Sequence, residues 1–299
     1  MAGTGLSLGT VARRILHLLC AGLAPRRPRV LLYHGVDASR SPIAIARETF
    51  AAQMAWLARK GYASWPASVY VRALREGTPL PRRLVVITFD DGYRNNLDVA
   101  LPEMERHGLV ATCFVVTGDL GGPPRWEGRD AERIKALTDR VWAGRSVAER
   151  AEISASVHST LAEPLGSLAS WTAASSRGFE LASHTKSHRF CDQEPAAVVE
   201  AEIVSARAEL RAVGATGAEL LAWPYGATNP TACAIARELG VQGAFAAEWE
   251  WERRDDADHL RLNRAPIDPS LGVFGIAWAC GKGYEVWARL RAWRRRRTA

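Results

Sequence analysis

Three short motifs in this sequence place residues that can do chemistry directly after predicted strands. In chain order they are 90-DDG-92 after the run 84-LVVITF-89, 184-HTKSH-188 after 179-FELAS-183, and 224-PYG-226 after 219-ELLAW-223. In a parallel barrel the carboxyl ends of all strands converge on one face, where active sites form. We therefore expect the polar side chains of these motifs to meet in one site.

The first motif sets two like charges side by side at the end of an apolar strand. Successive side chains of a strand point to opposite faces, so Asp90 and Asp91 cannot point the same way within a regular strand. Gly92 can adopt backbone angles that other residues avoid, which would let the two carboxylates take different roles at a strand end. Taken alone, the motif is equally typical of a turn followed by a helix cap.

The second motif provides two histidines, His184 and His188. Their i, i+4 spacing predicts that both imidazoles lie on one side of a helical turn, as metal ligands require. Two histidines and one aspartate form a facial ligand set with open positions, which suits a catalytic Zn²⁺ or another divalent ion. Without the aspartates, the same spacing would more often be a coincidence or a feature of the core.

Predicted strands alternate with predicted helices along most of the chain. Four helices are expected between strands: one through Phe50, Met54 and Leu57 that ends at Gly61, one through Leu97, Leu101 and Met104 that ends at Gly108, and two in the segments 196–214 and 231–240. Seven strands are expected, in the segments 29–36, 84–89, 110–116, 179–183, 219–223, 241–247 and 260–267. The alternation indicates an α/β fold with a parallel sheet, a distorted (β/α) barrel of about seven strands. The segment 118–170 is too long for a simple connection and is predicted to be a helical insertion, with helices at 130–144 and 146–157.

The motifs TFDDG, HTKSH and PYG, in this order on a barrel, resemble those of the polysaccharide deacetylases of the NodB-homology group, carbohydrate esterase family 4. The resemblance covers most of the chain, from residue 29 to about residue 270. The segments 50-FAAQMAWLARKGY-62 and 79-PLPRRLVVITFDDGYRNN-96 are similar to the branch that acts on N-acetylglucosamine exopolysaccharides. The resemblance implies a NodB-like deacetylase domain over residues 29–285.

The resemblance also implies a role for each motif. The implied metal ligands are Asp91, His184 and His188. Asp90 would be the catalytic base that takes a proton from the attacking water. A backbone N–H near Tyr225, in the turn that begins at Pro224, would stabilise the negative charge developing on the substrate oxygen. The implied cofactor is Zn²⁺, with Co²⁺, Ni²⁺ and Mn²⁺ as alternatives, because this ligand set suits several divalent ions.

Some features of the family pattern are displaced or missing. No late motif supplies a clear histidine to protonate the leaving amine, so His34, after the first strand, is preferred for this role and His259 is the alternative. The family often has an arginine shortly before the third motif, where this chain reads LLA at 220–222. Arg264 could supply that charge from the last strand, or it could be an ordinary surface arginine. The family's Asp-x-x-Asp-Trp type motif is not recognisable.

Positive charge is concentrated at the two ends of the sequence. Residues 1–29 contain five arginines and no acidic residue, and residues 286–297 contain six arginines and no acidic residue. Subtracting these eleven charges from the net charge of +7 leaves −4 for the rest of the chain. Basic residues at the ends rather than throughout the body disfavour nucleic-acid binding. The tail 286–299 is expected either to contact anionic lipid or to remain solvated.

The N-terminal segment 1–28 is predicted to contain a basic amphipathic helix. The residues expected on its apolar face are Val11, Ile15, Leu18, Leu19 and Leu23. A cleaved signal peptide is the alternative, but Pro25 directly follows the plausible cleavage site. Five scattered cysteines without a CxxC pair favour reduced thiols. The expected location is therefore the cytoplasm, with peripheral contact at the inner face of the membrane.

These observations favour a metal-dependent hydrolase that removes N-acetyl groups. Its substrate would be a glycan that contains amino sugars or a lipid-linked glycan precursor. Deformylation or O-deacetylation by the same residues is an alternative, because the metal-assisted hydrolysis is shared. A catalytically silent glycan-binding barrel is a third hypothesis, and the complete Asp-Asp-His-His set argues against it.

Overall fold

A computed structural model of the chain describes residues 8–20, 29–37, 43–130, 132–133, 164–247, 259–284 and 286–287. The helices predicted within the insertion lie almost entirely outside these residues, as do Leu23 and the tail beyond residue 287. The described ends of the predicted insertion contain the helix Arg125–Arg129 and the first turn of the helix Leu168–Ser175, which continues beyond residue 170.

The centre of the molecule is a parallel sheet. The described strands are β1 (Arg29–Tyr33), β2 (Gly35–Val36), β3 (Ala44–Ile45), β4 (Ala63–Ser64), β5 (Leu84–Asp91), β6 (Ala111–Val115), β7 (Phe179–Ser183), β8 (Gly217–Ala222), β9 (Gly243–Ala246), β10 (Leu262–Asn263) and β11 (Ala265–Pro266). The sheet has the order β10-β9-β8-β7-β6-β5-β1-β11, with β4 also paired to β5, while β2 and β3 form a separate pair. All these pairings are parallel.

The two edges of the sheet are joined by one short stretch of chain. β10 pairs with β9 at one edge and β11 pairs with β1 at the other, and only Arg264 separates them. The segment 262–266 therefore contacts both edges and nearly closes the sheet into a barrel. This confirms the predicted α/β barrel. The sheet contains nine described strands rather than seven, because β4 adds a two-residue strand without an apolar run and the last predicted strand is divided at Arg264 into β10 and β11.

Helices cover the outside of the barrel. They are α1 (Leu8–Leu19), α2 (Arg47–Arg59), α3 (Ala67–Glu76), α4 (Leu101–Glu105), α5 (Arg125–Arg129), α6 (Leu168–Ser175), α7 (Ala196–Ala212), α8 (Pro230–Glu238) and α9 (Gly272–Cys280). A single π-helical turn, Asn96–Ala100, leads into α4. Sequence patterns identified α1, α2, α4, α7 and α8, whereas α3 and α9 were not predicted.

The central strand β5 illustrates why a continuous apolar run belongs in such a sheet. All eight of its residues are buried, because neighbouring strands cover its edges and side chains cover both faces. On one side Phe89 packs against Tyr33 and Phe50, with ring centroids 5.4 and 5.9 Å away. Phe50 belongs to α2, whose buried face also carries Met54 and Leu57 at the predicted helical spacing. This rigid core fixes the end of β5, where the first motif lies.

No helix among the described residues is both long enough and apolar enough to span a membrane. All five cysteines lie within the described ranges, and each is a free thiol.

Candidate metal centre and its surroundings

The first motif lies at the carboxyl end of β5, and the strand extends further than predicted. β5 continues through both aspartates, with Asp90 opposite Phe114 and Asp91 opposite Val115 of β6. Asp91 has a φ of 74° and Gly92 a φ of 93°, so the chain leaves the extended conformation at the second aspartate. Positive φ at a residue other than glycine costs free energy and is concentrated at functional sites. The two carboxylates accordingly have different partners.

The second motif is a loop, and the predicted helical turn is wrong. Thr185 and His188 both have positive φ, of 67° and 57°, which no helix accommodates. Side chains stabilise the loop, because Ser183 Oγ accepts a hydrogen bond from the Thr185 N–H at 3.1 Å and Thr185 Oγ1 accepts one from the His188 N–H at 3.0 Å. Glu202 of α7 accepts a further bond from the Ser187 N–H at 2.7 Å. These contacts bring the two imidazoles together without a helix.

Three buried side chains from the two motifs form a compact cluster. Asp91 Oδ1 lies 3.6 Å from His184 Nε2 and 3.4 Å from His188 Nε2. One potential ligand atom from each of the three residues lies within 4.8 Å of the others. Donor atoms about 2.0–2.2 Å from one ion in a tetrahedral arrangement would be separated by roughly 3.3–3.6 Å. The observed separations therefore suit a shared divalent cation.

The hydrogen bonding of the cluster also fits a metal. His184 Nδ1 is 2.8 Å from the Ala222 carbonyl oxygen, so this nitrogen carries the proton and Nε2 is left as a lone-pair donor. Burial lowers the pKa of His184 to about 4, which keeps the ring neutral near pH 7. Within the described residues, Asp91 Oδ1 is buried and accepts no hydrogen bond. A buried carboxylate oxygen without a donor is costly, and a cation would remove that cost.

The other aspartate is held by an arginine from the last strand. Arg264 donates two hydrogen bonds to Asp90, from Nη1 to Oδ1 and from Nη2 to Oδ2, each 2.6 Å long. The guanidinium is fixed further by Nε, which donates to the Ala246 carbonyl at 3.2 Å, and it lies over the Phe114 ring. Arg264 is only 1% exposed, so the interpretation as an ordinary surface arginine is wrong. Planar bidentate pairing fixes both the position and the charge of Asp90.

Both aspartates remain ionised despite their burial. Burial alone would raise the pKa of Asp90, but the charge and hydrogen bonds of Arg264 outweigh it and leave the pKa below its ordinary value. Burial would likewise raise the pKa of Asp91, but the close approach and charge of His188, whose Nε2 lies 3.4 Å from Oδ1, bring it far below the ordinary range. The site therefore contains two carboxylates near neutral pH, one paired with an arginine and one facing two imidazoles.

Of the two histidines considered as proton donors, only His34 lies at the strand ends that carry the motifs. His34 occupies the break between β1 and β2, one residue after Tyr33, which pairs with Phe89 in the register of β1 and β5. It is half-buried, and its charge lowers the pKa of both aspartates. His259 precedes β10, where its carbonyl accepts a hydrogen bond from the Ala244 N–H.

The third motif forms a strained turn beside the cluster. Pro224 is buried and Tyr225 has a φ of 58°, and the ring of Tyr225 meets that of His188 edge-on with centroids 4.4 Å apart. Phe190 stacks on Tyr225 at 3.9 Å. The Tyr225 hydroxyl is buried and has no hydrogen-bond partner among the described residues. The turn thus places a rigid aromatic wall next to the candidate metal ligands.

Helix α5 completes this wall with residues that the sequence analysis did not identify. Trp126 stacks on His188 with ring centroids 4.7 Å apart. Arg129 donates hydrogen bonds to the carbonyls of Ser187 and His188, at 2.8 and 3.0 Å, and so clamps the loop of the second motif. Glu127 accepts a hydrogen bond from the Tyr93 hydroxyl at 3.2 Å. The segment RWEGR gave no signal, because its function depends on contacts that only the folded chain creates.

Comparison with known sequences identifies relatives of this chain. A sequence model of the family described as polysaccharide deacetylase matches residues 77–244, more than half of the chain. Poly-beta-1,6-N-acetyl-D-glucosamine N-deacetylase of Escherichia coli (strain K12) is 26% identical over 236 residues, which cover 74% of this chain and 34% of that protein. The chain therefore spans about a third of the length of the curated relatives that it matches.

Solved structures share the fold. The Streptococcus pyogenes deacetylase PplD in complex with acetate has a TM-score of 0.65 and 19% identity, over 86% of this chain and 99% of that chain. IcaB from Ammonifex degensii has a TM-score of 0.64 and 22% identity, over 84% of this chain and 96% of that chain. At these identities the similarity demonstrates a common architecture.

Proposed function

The chain belongs to the polysaccharide deacetylase family, and we propose that it is a metal-dependent hydrolase that removes N-acetyl groups from an amino-sugar-containing glycan or a lipid-linked glycan precursor. The observation that carries the proposal is a candidate metal-binding cluster next to a second, separately held carboxylate. Asp91, His184 and His188 form a buried cluster. His184 Nε2 of this cluster lies 3.7 Å from Oδ2 of a second carboxylate, Asp90, which Arg264 fixes in place. A purely structural ion pair would not require the three-residue cluster beside it.

Asp91, His184 and His188 are the residues that would hold the metal, with Zn²⁺ as the first candidate and Co²⁺, Ni²⁺ or Mn²⁺ as alternatives. A divalent cation bound there supplies positive charge that polarises a substrate carbonyl and makes a neighbouring water molecule more acidic. The orphaned Asp91 Oδ1 and the neutral His184 ring support this assignment.

Different residues of the chain would then accept and donate the protons of the reaction. Asp90 accepts a proton from the water that attacks the acetamide carbon, and Arg264 keeps Asp90 ionised and oriented for that step. The backbone N–H of Tyr225 donates to the carbonyl oxygen as negative charge develops on it. When the carbon–nitrogen bond breaks, His34 donates a proton to the leaving amine. The products are acetate and a free amino sugar.

The relatives support the proposed substrate class. A matching protein is named for N-deacetylation of poly-β-1,6-N-acetyl-D-glucosamine, which supports an N-acetylglucosamine polymer or its precursor as the substrate. The rings of Trp126 and Tyr225 both contact the His188 ring and hold the proposed metal ligand in place beside the substrate. The lipid-linked precursor remains part of the proposal as a second substrate form.

The first test is acetate release from β-1,6-linked N-acetylglucosamine oligomers and from a lipid-linked N-acetyl sugar. We expect release by the wild-type protein, loss on chelation and recovery on adding Zn²⁺. Asp90→Asn should lose activity by two orders of magnitude or more, in line with removal of a general base, roughly 10²–10⁴-fold, while it still binds metal. His34→Gln should retain metal and lose activity on substrates with a poor leaving amine.

The same preparation distinguishes the alternatives. Release of formate or of O-linked acetate, but no N-linked acetate, would replace the proposed substrate while leaving the site intact. Stoichiometric metal binding and glycan binding without release of any acyl group would indicate a silent binding barrel. No metal binding by the wild-type protein would remove the proposal altogether.

A further inference from the structure

Helix α1 turns four of its large aliphatic side chains away from the barrel, the opposite of what an ordinary surface helix does. Among the described residues the exposed large hydrophobic side chains are Val11 at 38%, Ile15 at 53%, Leu18 at 71%, Leu19 at 75% and Val204 at 40%. Four of the five lie on α1, and their spacing of four, three and one residues puts them on one helical face. We call these four residues the α1 stripe.

The opposite face of α1 holds the helix to the barrel. His17 packs edge-on against Phe274 of α9 at 5.5 Å and tilts against Trp278 at 6.4 Å. Arg13 lies 3.7 Å from Asp268, and Leu16 packs against the main core. A helix that only covered the barrel would turn its four large aliphatic residues inward and its arginine and histidine outward. The observed orientation leaves the α1 stripe without a partner in the described chain.

Basic residues lie beside the α1 stripe and in the segments that adjoin it in the sequence. Arg14 is exposed beside it, and the first 29 residues contain five arginines and no acidic residue. Arg13 lies over the ring of Trp287, 5.8 Å from its centroid, so the chain enters its last, arginine-rich segment next to α1. The six arginines of residues 286–297 follow Trp287 in the sequence, while the chain between the two basic ends has a net charge of −4. An apolar stripe with basic flanks is complementary to an anionic lipid surface.

From this arrangement we propose that α1 is a docking surface for an anionic membrane, with the α1 stripe inserted at the level of the acyl-chain boundary and the arginines of both termini on lipid headgroups. A second copy of the chain fits less well. Four side chains provide far less than the roughly 800 Å² per partner of a standard interface, and pairing two copies would bring like charges together. This surface would bind membrane whether or not the barrel is a deacetylase.

The test is flotation of the full chain with vesicles of phosphatidylcholine and phosphatidylglycerol, compared with phosphatidylcholine alone. We expect binding to the anionic vesicles that weakens as salt is raised. Leu18→Ser with Leu19→Ser should lower the apparent partition coefficient by roughly tenfold or more. Val204→Ser, which removes the exposed aliphatic side chain outside α1, is the matched control and should bind like wild type.

Two further measurements complete the test. Changing Arg294, Arg295, Arg296 and Arg297 to Ser should weaken binding to anionic vesicles with little effect on the small binding to neutral ones. In the wild-type protein, amide hydrogen exchange of residues 8–19 should slow on addition of anionic vesicles, a result that does not depend on how a variant folds. Absence of wild-type binding, unchanged binding by the Leu18→Ser, Leu19→Ser variant, or a lipid-free dimer that this variant abolishes would each overturn the proposal.

Discussion

Asp90 depends on Arg264 because a buried carboxylate needs a compensating charge. Both oxygens of Asp90 accept 2.6 Å hydrogen bonds from one guanidinium, and both side chains are almost fully buried. Removing one partner of such a pair leaves an uncompensated buried charge, which costs about 3–5 kcal/mol, whereas removing both costs much less. The pair therefore couples the chemistry of the base to the stability of the barrel.

We expect Arg264→Met to lower the free energy of unfolding by about 3–5 kcal/mol, and Asp90→Asn combined with Arg264→Met to recover a large part of that loss. Urea unfolding of the two single variants and the double variant measures the coupling. Additive effects would show that the two side chains do not interact energetically. Arg264→Lys should be intermediate, because an ammonium keeps the charge but lacks the planar fork that donates two parallel hydrogen bonds to a carboxylate.

In the metal-free protein, Glu127 should make the folded state less stable as the pH rises, whereas a carboxylate with a lowered pKa makes it more stable. Burial and the charge of Asp91 raise the pKa of Glu127 to about 8, although the hydrogen bond from Tyr93 lowers this pKa in part. The folded state therefore binds a proton that the unfolded state releases near the ordinary value of 4.5. The contribution of Glu127 to folded-state stability should therefore fall as the pH rises from about 4.5 to about 8.

In the presence of chelator, Glu127→Gln should become progressively more stable than wild type as the pH is raised through this window, with no further gain above about pH 8. Thermal unfolding at a series of pH values measures the difference between the two melting temperatures. Glu238→Gln, which removes an exposed negative charge on α8, is the control for net charge. A constant difference between Glu127→Gln and wild type would contradict the expectation.

At the residue scale the sequence identified the side chains that sit in short motifs at strand ends. Asp90, Asp91, His184 and His188 could be found because each motif joins a chemical group to a strand terminus. For Arg264 the sequence left two interpretations open, a partner of the catalytic aspartate or an ordinary surface arginine. It could not decide between them, because Asp90 is 174 residues away in the chain. Trp126, Glu127 and Arg129 were missed, because an aromatic, an acid and a base in a short helix are typical of any surface.

At the scale of elements, the loop of the second motif is held in a strained conformation by its neighbours. Positive φ at Thr185 and His188 costs free energy that hydrogen bonds must offset. Arg129 of α5 contributes two of them, to the carbonyls of Ser187 and His188. Partners that orient a metal ligand influence the affinity for the ion even though they never contact it.

We expect Arg129→Ala to weaken metal binding by roughly 10–100-fold, because the loop that presents His188 loses its clamp. Competition against a chromophoric chelator measures the affinity. Arg125→Ala is the matched control: it lies on the same short helix, but its side chain pairs with Asp119 and the Gly118 carbonyl and not with the loop. Equal losses in both variants would indicate a general effect of α5 rather than the clamp.

The elements also show where sequence patterns were sufficient and where they failed. Long apolar runs and helices closed by glycine were predicted well, as at β5 and at α2, where Gly61 has a φ of 68°. The spacing of His184 and His188 was interpreted as a helical turn, since i, i+4 spacing is typical of helices. The alternative loop depends on hydrogen bonds from Ser183, Glu202 and Arg129, which no local pattern contains.

At the scale of the whole molecule, the candidate site is built from residues that are far apart in the sequence and lie on different strands of the barrel. Asp91 ends β5, the two histidines follow β7, and Arg264 lies where the last segment contacts both edges of the sheet. Ligands that come from separate strands can meet only in the folded state. Metal binding should therefore be coupled to folding of the entire barrel rather than to one hairpin or helix.

We expect a saturating divalent ion to raise the melting temperature of the chain, since a ligand that binds only the folded state stabilises it by about 2.7 kcal/mol at one hundred times its dissociation constant. Differential scanning calorimetry with and without Zn²⁺ measures the shift. His188→Gln should lose most of the stabilisation, because one ligand is removed. Asp90→Asn should retain it, because Asp90 pairs with Arg264 instead of joining the three-residue cluster. Stabilisation that survives His188→Gln would remove His188 from the proposed ligand set, and stabilisation that disappears in Asp90→Asn would place Asp90 among the ligands.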